Sequence, residues 1–225
     1  MRVVRPDVQS VPDALALSLR MLADADGPAL VVHRVAPPAI TCGRAQIKTV
    51  DMAAIARSGL ELVARPSGGG PVLWDDDLIA IDVILPDGDP RLPTDIVAAY
   101  RWVGEAVAGA LTGLGAGNLR AVPPVEARAW PTGASAGLCF GGLAPWEVVA
   151  GRRKVLGLSQ VRKRAGAIIQ VGVPMRLDTE RLAQAVGAPA GAGADLAGRT
   201  AGVDELMPGA PRDQVTDALI AALGG

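Results

Sequence analysis

The stretch Arg65-Pro66-Ser67-Gly68-Gly69-Gly70-Pro71-Val72 decides how this chain is read. Three consecutive glycines stand between two strand-like runs, residues 61–66 and 71–74. Glycine loses more conformational freedom on folding than any other residue. A run of three makes sense where backbone must approach a ligand closely, or where a positive φ is needed more than once. Exposed N–H groups in such a turn hold a carboxylate or a phosphate. The stretch is neither a P-loop nor a dinucleotide fingerprint, because no Lys-Ser/Thr follows and no helix pattern starts there. Read alone, three glycines are more often a loose hairpin turn.

Working outward, the pattern alternates helices and strands. Toward the N-terminus, Leu15, Leu19 and Leu22 share a helical face behind Asp13, the expected cap. ALVVHRV reads as a strand, PPAITCG as a second, and DMAAIARSGL as a helix capped by Asp51 and stopped at Gly59. On the other side, LIAIDVIL is a buried strand that ends at Pro86. A helix is expected from Thr94 or Asp95 to Gly113 or Gly115, followed by an irregular stretch over residues 118–137. WEVV, KVLGLSQ and AIIQVGV read as strands with turns at Ala150-Gly151 and Ala165-Gly166, and the tail from Thr179 as helical pieces. No repeat or linker appears, so residues 1–225 are expected to form a single α/β domain.

Composition narrows the function. Half of the 225 residues are apolar and 20% are charged, which excludes a disordered chain. Twenty-two basic side chains face 23 acidic ones, so no global positive field draws nucleic acid. No apolar run reaches the roughly 20 residues that span a bilayer. The N-terminus lacks the apolar core of a secretory signal, so a soluble, cytoplasmic protein is expected. Cys42 and Cys139 are far apart and His33 is the only histidine, so neither a disulfide framework nor a zinc site is expected.

Lysine is scarce. Lys48, Lys154 and Lys163 are the only three among the 22 basic residues. Lysine is a compact point charge that exchanges protons, which arginine does not. Lys154 sits in Gly151-Arg152-Arg153-Lys154-Val155-Leu156-Gly157-Leu158-Ser159-Gln160. Taken locally, this is a basic hairpin entering a strand, most simply a solvated edge.

Together the two segments are more specific. Arg65 to Asp75 resembles the Arg-x-Ser-Gly-Gly-Gly signature of the lipoate–protein ligase and octanoyltransferase family. Pro37 to Ile40 with Gly43-Arg44-Ala45-Gln46 is similar to that family's preceding strand and Gly-Arg-x-Gln element. Gly151 to Gln160 resembles its lysine motif, and Arg199 to Gly209 its late Pro-Gly block. The resemblance covers the chain from about Ala14 onward. It implies an α/β (α+β) fold shared with biotin ligases and class II aminoacyl-tRNA synthetases: a mixed β-sheet covered by helices on one side. It also implies attachment of an octanoyl or lipoyl group to a lysine of a lipoyl domain.

Two mechanisms occur in such families. Ligases activate free lipoate with ATP and Mg before transfer. Octanoyltransferases take octanoate from acyl carrier protein onto a cysteine, with no cofactor. Cys139 lies 15 positions before Lys154, in Leu138-Cys139-Phe140. That arrangement resembles the cysteine-type octanoyltransferases, with Trp146-Glu147 in the following strand position. It implies Cys139 as nucleophile and Lys154 as neighbouring charge and acid/base, because a thiol near neutrality needs a cation to raise its thiolate fraction. Arg65, Ser67, Gly68, Gly69, Gly70, Pro71 and Val72 would then bind the acyl group with Gly157, Leu158 and Ser159. The glycine backbone would serve as an oxyanion hole. The implied acceptors are lipoyl domains of 2-oxoacid dehydrogenase complexes or the glycine cleavage H protein. The Pro-Gly block ends at Gly209, so no fused accessory domain is expected.

The chain departs from the family pattern at three places. Trp74 stands where a histidine usually follows the glycines, Gln170-Val171-Gly172 replaces Gln-His-Gly, and Leu158-Ser159 replaces Ser-Ala. These changes leave three alternatives open: an ATP-dependent ligase, alone or with a separate accessory chain; a non-catalytic acyl- or adenylate-binding module; and biotin ligase, which the Ser-Gly-Gly-Gly run disfavours.

Overall fold

The computed structural model describes all residues, 1–225. The N-terminal part runs β1 (Arg2–Val4), α1 (Val11–Ala23), β2 (Ala29–His33), β3 (Ala39–Gly43), α2 (Met52–Ser58) and β4 (Glu61–Arg65). The middle runs β5 (Val72–Trp74), β6 (Leu78–Pro86), α3 (Ala99–Gly113), β7 (Leu119–Ala121), α4 (Pro124–Arg128) and β8 (Val148–Ala150). The remainder is β9 (Arg153–Lys154), β10 (Gly157–Lys163), β11 (Gly166–Pro174), α5 (Thr179–Ala185), α6 (Ala192–Arg199), α7 (Val203–Leu206) and α8 (Arg212–Gly224). No helix is long and apolar enough to cross a membrane.

Eight of the nine residues of β6 are buried, which makes it the centre of the main sheet. The strand order is β1-β2-β6-β11-β10, with β1 parallel to β2 and the other pairs antiparallel. Side chains alternate across a strand. Ile79, Ile81, Val83 and Leu85 therefore face one way, against Val103, Val107 and Leu111 of α3 and Val215, Leu219 and Leu223 of α8. The spacing of four in both helices puts those residues on one stripe. Burying each such side chain is worth about 1.5–3 kcal/mol. Ile84 faces the other way, with Val31 and Ile168, against Leu22 of α1.

The mixed α/β class is the one the sequence implies, but the cover is not one-sided: α1 lies across the sheet from α3 and α8. The strands also divide into three sheets. A small sheet of order β4-β3-β5 stands beside the main one, and a third has the order β7-β8-β9.

Several boundaries differ from the sequence reading for physical reasons. Ser10, not Asp13, caps α1, accepting the Asp13 N–H at 3.3 Å. Pro12 falls in the first turn, where a missing N–H does no harm. Asp51 caps α2 as expected, accepting from Ala53 and Ala54. Asp95 caps a turn rather than a helix, taking the Val97 N–H at 2.8 Å, and α3 begins at Ala99. The stretch expected to be irregular contains β7 and α4. Pro123 and Pro124 start α4, with a proline inside its first turn.

The loop between α4 and β8 carries Cys139 and has little regular structure of its own. One carboxylate anchors it. Asp195 of α6 accepts the Ser135 hydroxyl at 2.6 Å and the Ser135 N–H at 2.9 Å, and pairs with Arg199 at 2.9 Å. Arg199 also donates to the Pro131 carbonyl at 2.6 Å. The bonds from Ser135 first, and then Arg199, hold the Asp195 carboxyl down to about 2 from its ordinary 3.8.

The folded form thus binds the Asp195 proton more weakly than the unfolded form does. The anchor is fully present above pH 3.8 and is lost as pH falls through about 2. Hydrogen exchange over residues 131–141 should accelerate in that window before the main sheet opens. Asp195→Ala should show the faster exchange already at pH 7. Unchanged exchange in that variant would contradict the anchor.

Candidate active site

A cavity of about 310 Å³ opens between the main sheet, the small sheet and the Cys139 loop. That is the low end of the usual range for ligand pockets, roughly 300–1,000 Å³. Its walls include Val72, Trp74, Leu78 and Ala80 from β5 and β6, with Leu138 and Phe140 from the loop. Of the twelve residues that the sequence assigned to the site, ten line this cavity: Arg65, Gly68, Gly69, Gly70, Val72, Cys139, Lys154, Gly157, Leu158 and Ser159. Ser67 and Pro71 stand directly behind it. The Ser159 hydroxyl lies 3.1 Å from that of Ser67, and both bond to Gln170 Oε1. The Pro71 carbonyl accepts the Cys139 N–H at 3.0 Å.

The glycine loop is shaped by Arg65, which is only 5% exposed. Its guanidinium donates to the carbonyls of Thr41 at 3.0 Å, Gly68 at 2.8 Å and Gly70 at 3.0 Å. The Gly69 carbonyl is taken by the Gly43 N–H at 3.0 Å, which ties in the Gly-Arg-x-Gln element. The loop carbonyls are thus committed to the fold. The N–H groups of Gly68, Gly69 and Gly70 donate to no backbone carbonyl. Such groups bordering a cavity offer donors to an anion or a developing oxyanion. The need for glycine differs along the loop. Gly69 has φ +102°, while Gly70 passes so close to the Cys139 loop that a Cβ would collide with the Gly137 carbonyl.

Lys154 is buried, at 3% exposure, and its ammonium has three acceptors. Glu147 Oε2 lies at 2.6 Å, the Cys139 carbonyl at 2.9 Å and the Gly142 carbonyl at 3.2 Å. Lysine has three N–H donors, so the shell matches its capacity. The ammonium also stands 5.1 Å from the centre of the Phe140 ring. Glu147 is equally enclosed and accepts the Ala144 N–H at 2.6 Å and the Leu158 N–H at 2.9 Å. Burial pushes its carboxyl above the usual range, and the Lys154 ammonium with the two N–H donors pulls it back only in part.

Trp146, just before Glu147, has φ +67°, an unusual backbone for a bulky side chain. Arg101 of α3 covers its ring at 5.3 Å. Cys139 is partly accessible, whereas Cys42 on β3 is buried. Burial raises the Cys42 thiol.

Glu147 and Gln170 were legible only as neighbours of motifs. Asp82, which also lines the cavity, was read as part of a buried strand. A charged residue inside LIAIDVIL was the available signal. Ser135 and Asp195 left none, because they meet across 60 positions.

The chain matches the family model described as the lipoyl protein ligase A/B catalytic domain over residues 11–224. An octanoyltransferase LipM of Exiguobacterium is 35% identical over 159 residues, covering 69% of this chain and 57% of that protein. A LipM of Geobacillus kaustophilus is 33% identical over 150 residues, covering 65% and 53%. The chain therefore spans about half the length of the curated relatives it matches. Among solved structures, a lipoate-protein ligase A bound with ATP superposes with a TM-score of 0.77 at 20% identity, covering 99% of this chain and 83% of that one. A biotin protein ligase from Leishmania major gives 0.52 at 12% identity, covering 99% and 73%. The glycine loop, the buried lysine and the sheet they stand on fit this match along nearly the whole chain, which belongs to the lipoyl protein ligase A/B catalytic domain family.

Proposed function

We propose that this protein transfers a medium-length acyl group, octanoyl in the simplest case, from a carrier-protein thioester to a lysine of a lipoyl domain through Cys139. The supporting observation is the placement of a partly accessible cysteine at the cavity wall, on the same loop whose carbonyls complete the shell of Lys154. The curated relatives bearing the name octanoyltransferase support octanoyl as the group transferred. The bi-partite lipoate protein ligase of Thermoplasma acidophilum, similar in fold and described with its E2 lipoyl domain, supports the acceptor class.

The chemistry balances in two steps. The Cys139 sulfur attacks the donor's thioester carbonyl. The carrier thiol leaves with the proton that Cys139 gives up, and an acyl-cysteine thioester remains. The acceptor amine then attacks that thioester, an amide forms, and the amine's proton returns to the Cys139 sulfur. In both steps the carbonyl oxygen gains charge, and the free N–H groups of Gly68 to Gly70 are the donors for it. Lys154 supplies positive charge beside the reacting carbonyl and holds the nucleophile's own backbone. The apolar walls take the acyl chain and exclude water that would hydrolyse the thioester. ATP and magnesium have no part in this route. They belong to the ligase alternative, in which the same N–H groups would face an adenylate phosphate.

The deciding experiment supplies octanoyl carrier protein or free octanoate and lipoate, each with apo lipoyl domain, with and without ATP, and reads the masses of both proteins. The transfer route should give an octanoylated domain without ATP and a hydroxylamine-sensitive adduct on the enzyme. Cys139→Ser should lose the adduct, since an alcohol is far less acidic than a thiol. Strict dependence on ATP, no adduct and an active Cys139→Ser would instead establish the ligase route. Absence of transfer from every donor would leave only a binding module.

Lys154 has a separate test. Lys154→Ala should lower acyl transfer by at least roughly two orders of magnitude. Lys154→Arg should not restore it, because a planar fork does not fit a shell built around three donors at one nitrogen. Near-normal transfer by either variant, measured as single-turnover rate, would contradict the role.

A further inference from the structure

The cavity floor carries a group that a plain hydrocarbon chain does not need. Leu78, Ala80 and Asp82 alternate along β6 and all three line the cavity. Asp82 is 3% exposed. Its Oδ2 accepts from His33 Nε2 at 3.2 Å, and the Ser18 hydroxyl of α1 lies 3.1 Å from the same nitrogen. Ser18 and His33 are each 1% exposed. With both partners on Nε2, that nitrogen carries the hydrogen and points it at the carboxylate. His33 Nδ1 has no partner, and the ring meets Trp74 edge-on with centroids 5.7 Å apart. Asp82 Oδ1 receives no hydrogen bond from the protein and is not enclosed by it, so it opens to the cavity that Asp82 lines.

Water in the open cavity reaches that oxygen, but hydrocarbon laid against it would leave a carboxylate oxygen covered without a donor, which is costly. A ligand that brings a donor relieves it. Strand register says where along a ligand that donor would sit. Ser159 pairs with Gln170 on β11, and Gln170 with Asp82 on β6. Asp82 is thus two strand spacings, about 10 Å, from Ser159. Ser159 follows Leu158, whose N–H holds Glu147 beside Lys154. Asp82 therefore stands at the far side of the cavity from the reacting end.

We propose that Asp82 is a specificity-determining residue that accepts a hydrogen bond from a hydroxyl near the distal end of the acyl chain, and that His33 is the positioning residue that aims it. The protein then prefers a hydroxylated medium-length acyl group to the plain one. This rests on the acyl-transfer reading of the same cavity.

The test is a competition between octanoyl and 8-hydroxyoctanoyl carrier protein for one pool of apo lipoyl domain, read by product mass. The wild type should favour the hydroxyacyl chain by roughly tenfold or more. Asp82→Leu, checked for folding by circular dichroism, should reverse the preference. His33→Leu should weaken it, and His33→Gln, which returns a donor near the Nε2 position, should restore it. A wild type that is indifferent or favours octanoyl overturns the proposal even if no variant folds. A preference that survives in Asp82→Leu overturns the assignment to Asp82. Transfer of neither chain overturns the acyl-transfer reading and this proposal with it. Transfer of octanoyl alone overturns this proposal and leaves that reading standing.

Discussion

The buried pair of Lys154 and Glu147 is the constraint on which the site depends. Bringing two ions out of water costs several kcal/mol each, and their attraction offsets this only when every remaining donor and acceptor is also satisfied. Here the satisfying groups come from separate parts of the chain. Lys154 sits on β9 and takes carbonyls from Cys139 and Gly142, while Glu147 takes N–H groups from Ala144 and from Leu158 of β10. The pair therefore fixes the Cys139 loop to two strands at once. The loop is also held from the other side, by the Pro71 carbonyl on the Cys139 N–H and by the Asp195 anchor. The position of Cys139 follows from these bonds, because the loop has few regular hydrogen bonds of its own.

Arg65 plays the matching part for the glycine loop. The sequence placed it among substrate-binding residues, and it does line the cavity. Its donors, however, are spent on three backbone carbonyls. What it contributes is orientation: it draws the carbonyls of Gly68 and Gly70 to itself, while the N–H groups of Gly68 to Gly70 donate to no backbone carbonyl. A charged side chain here acts through the backbone it organises.

Much of this was legible in the sequence. The apolar run of β6 and the leucine spacing of α1 are local patterns, and local patterns survive in a single sequence. The two motifs that meet at the cavity were readable because each is contiguous. What was not readable was set by contacts between distant residues. Ser10 displaced Asp13 as a cap because Pro12 is harmless in a first turn. The second face of the sheet is covered by α1, which a helix's own periodicity does not reveal. The departures at Trp74 and Gln170 were visible but unexplained. In the structure Gln170 joins Ser67 and Ser159 in one hydrogen-bonded group, and Trp74 packs on the only histidine of the chain, His33. A histidine thus stands beside Trp74, but on β2 of the main sheet and turned toward Asp82.

The central claim is that Lys154 and Glu147 act as one unit in holding the Cys139 loop. A double-mutant cycle with Lys154→Met and Glu147→Leu, measured by urea denaturation, tests it most directly. Each single change strands a buried charge and should cost about 3–5 kcal/mol. The double change removes both charges and should cost less than the sum by at least about 1 kcal/mol. Losses that simply add would contradict the claim, because the two residues would then be stabilised independently of each other.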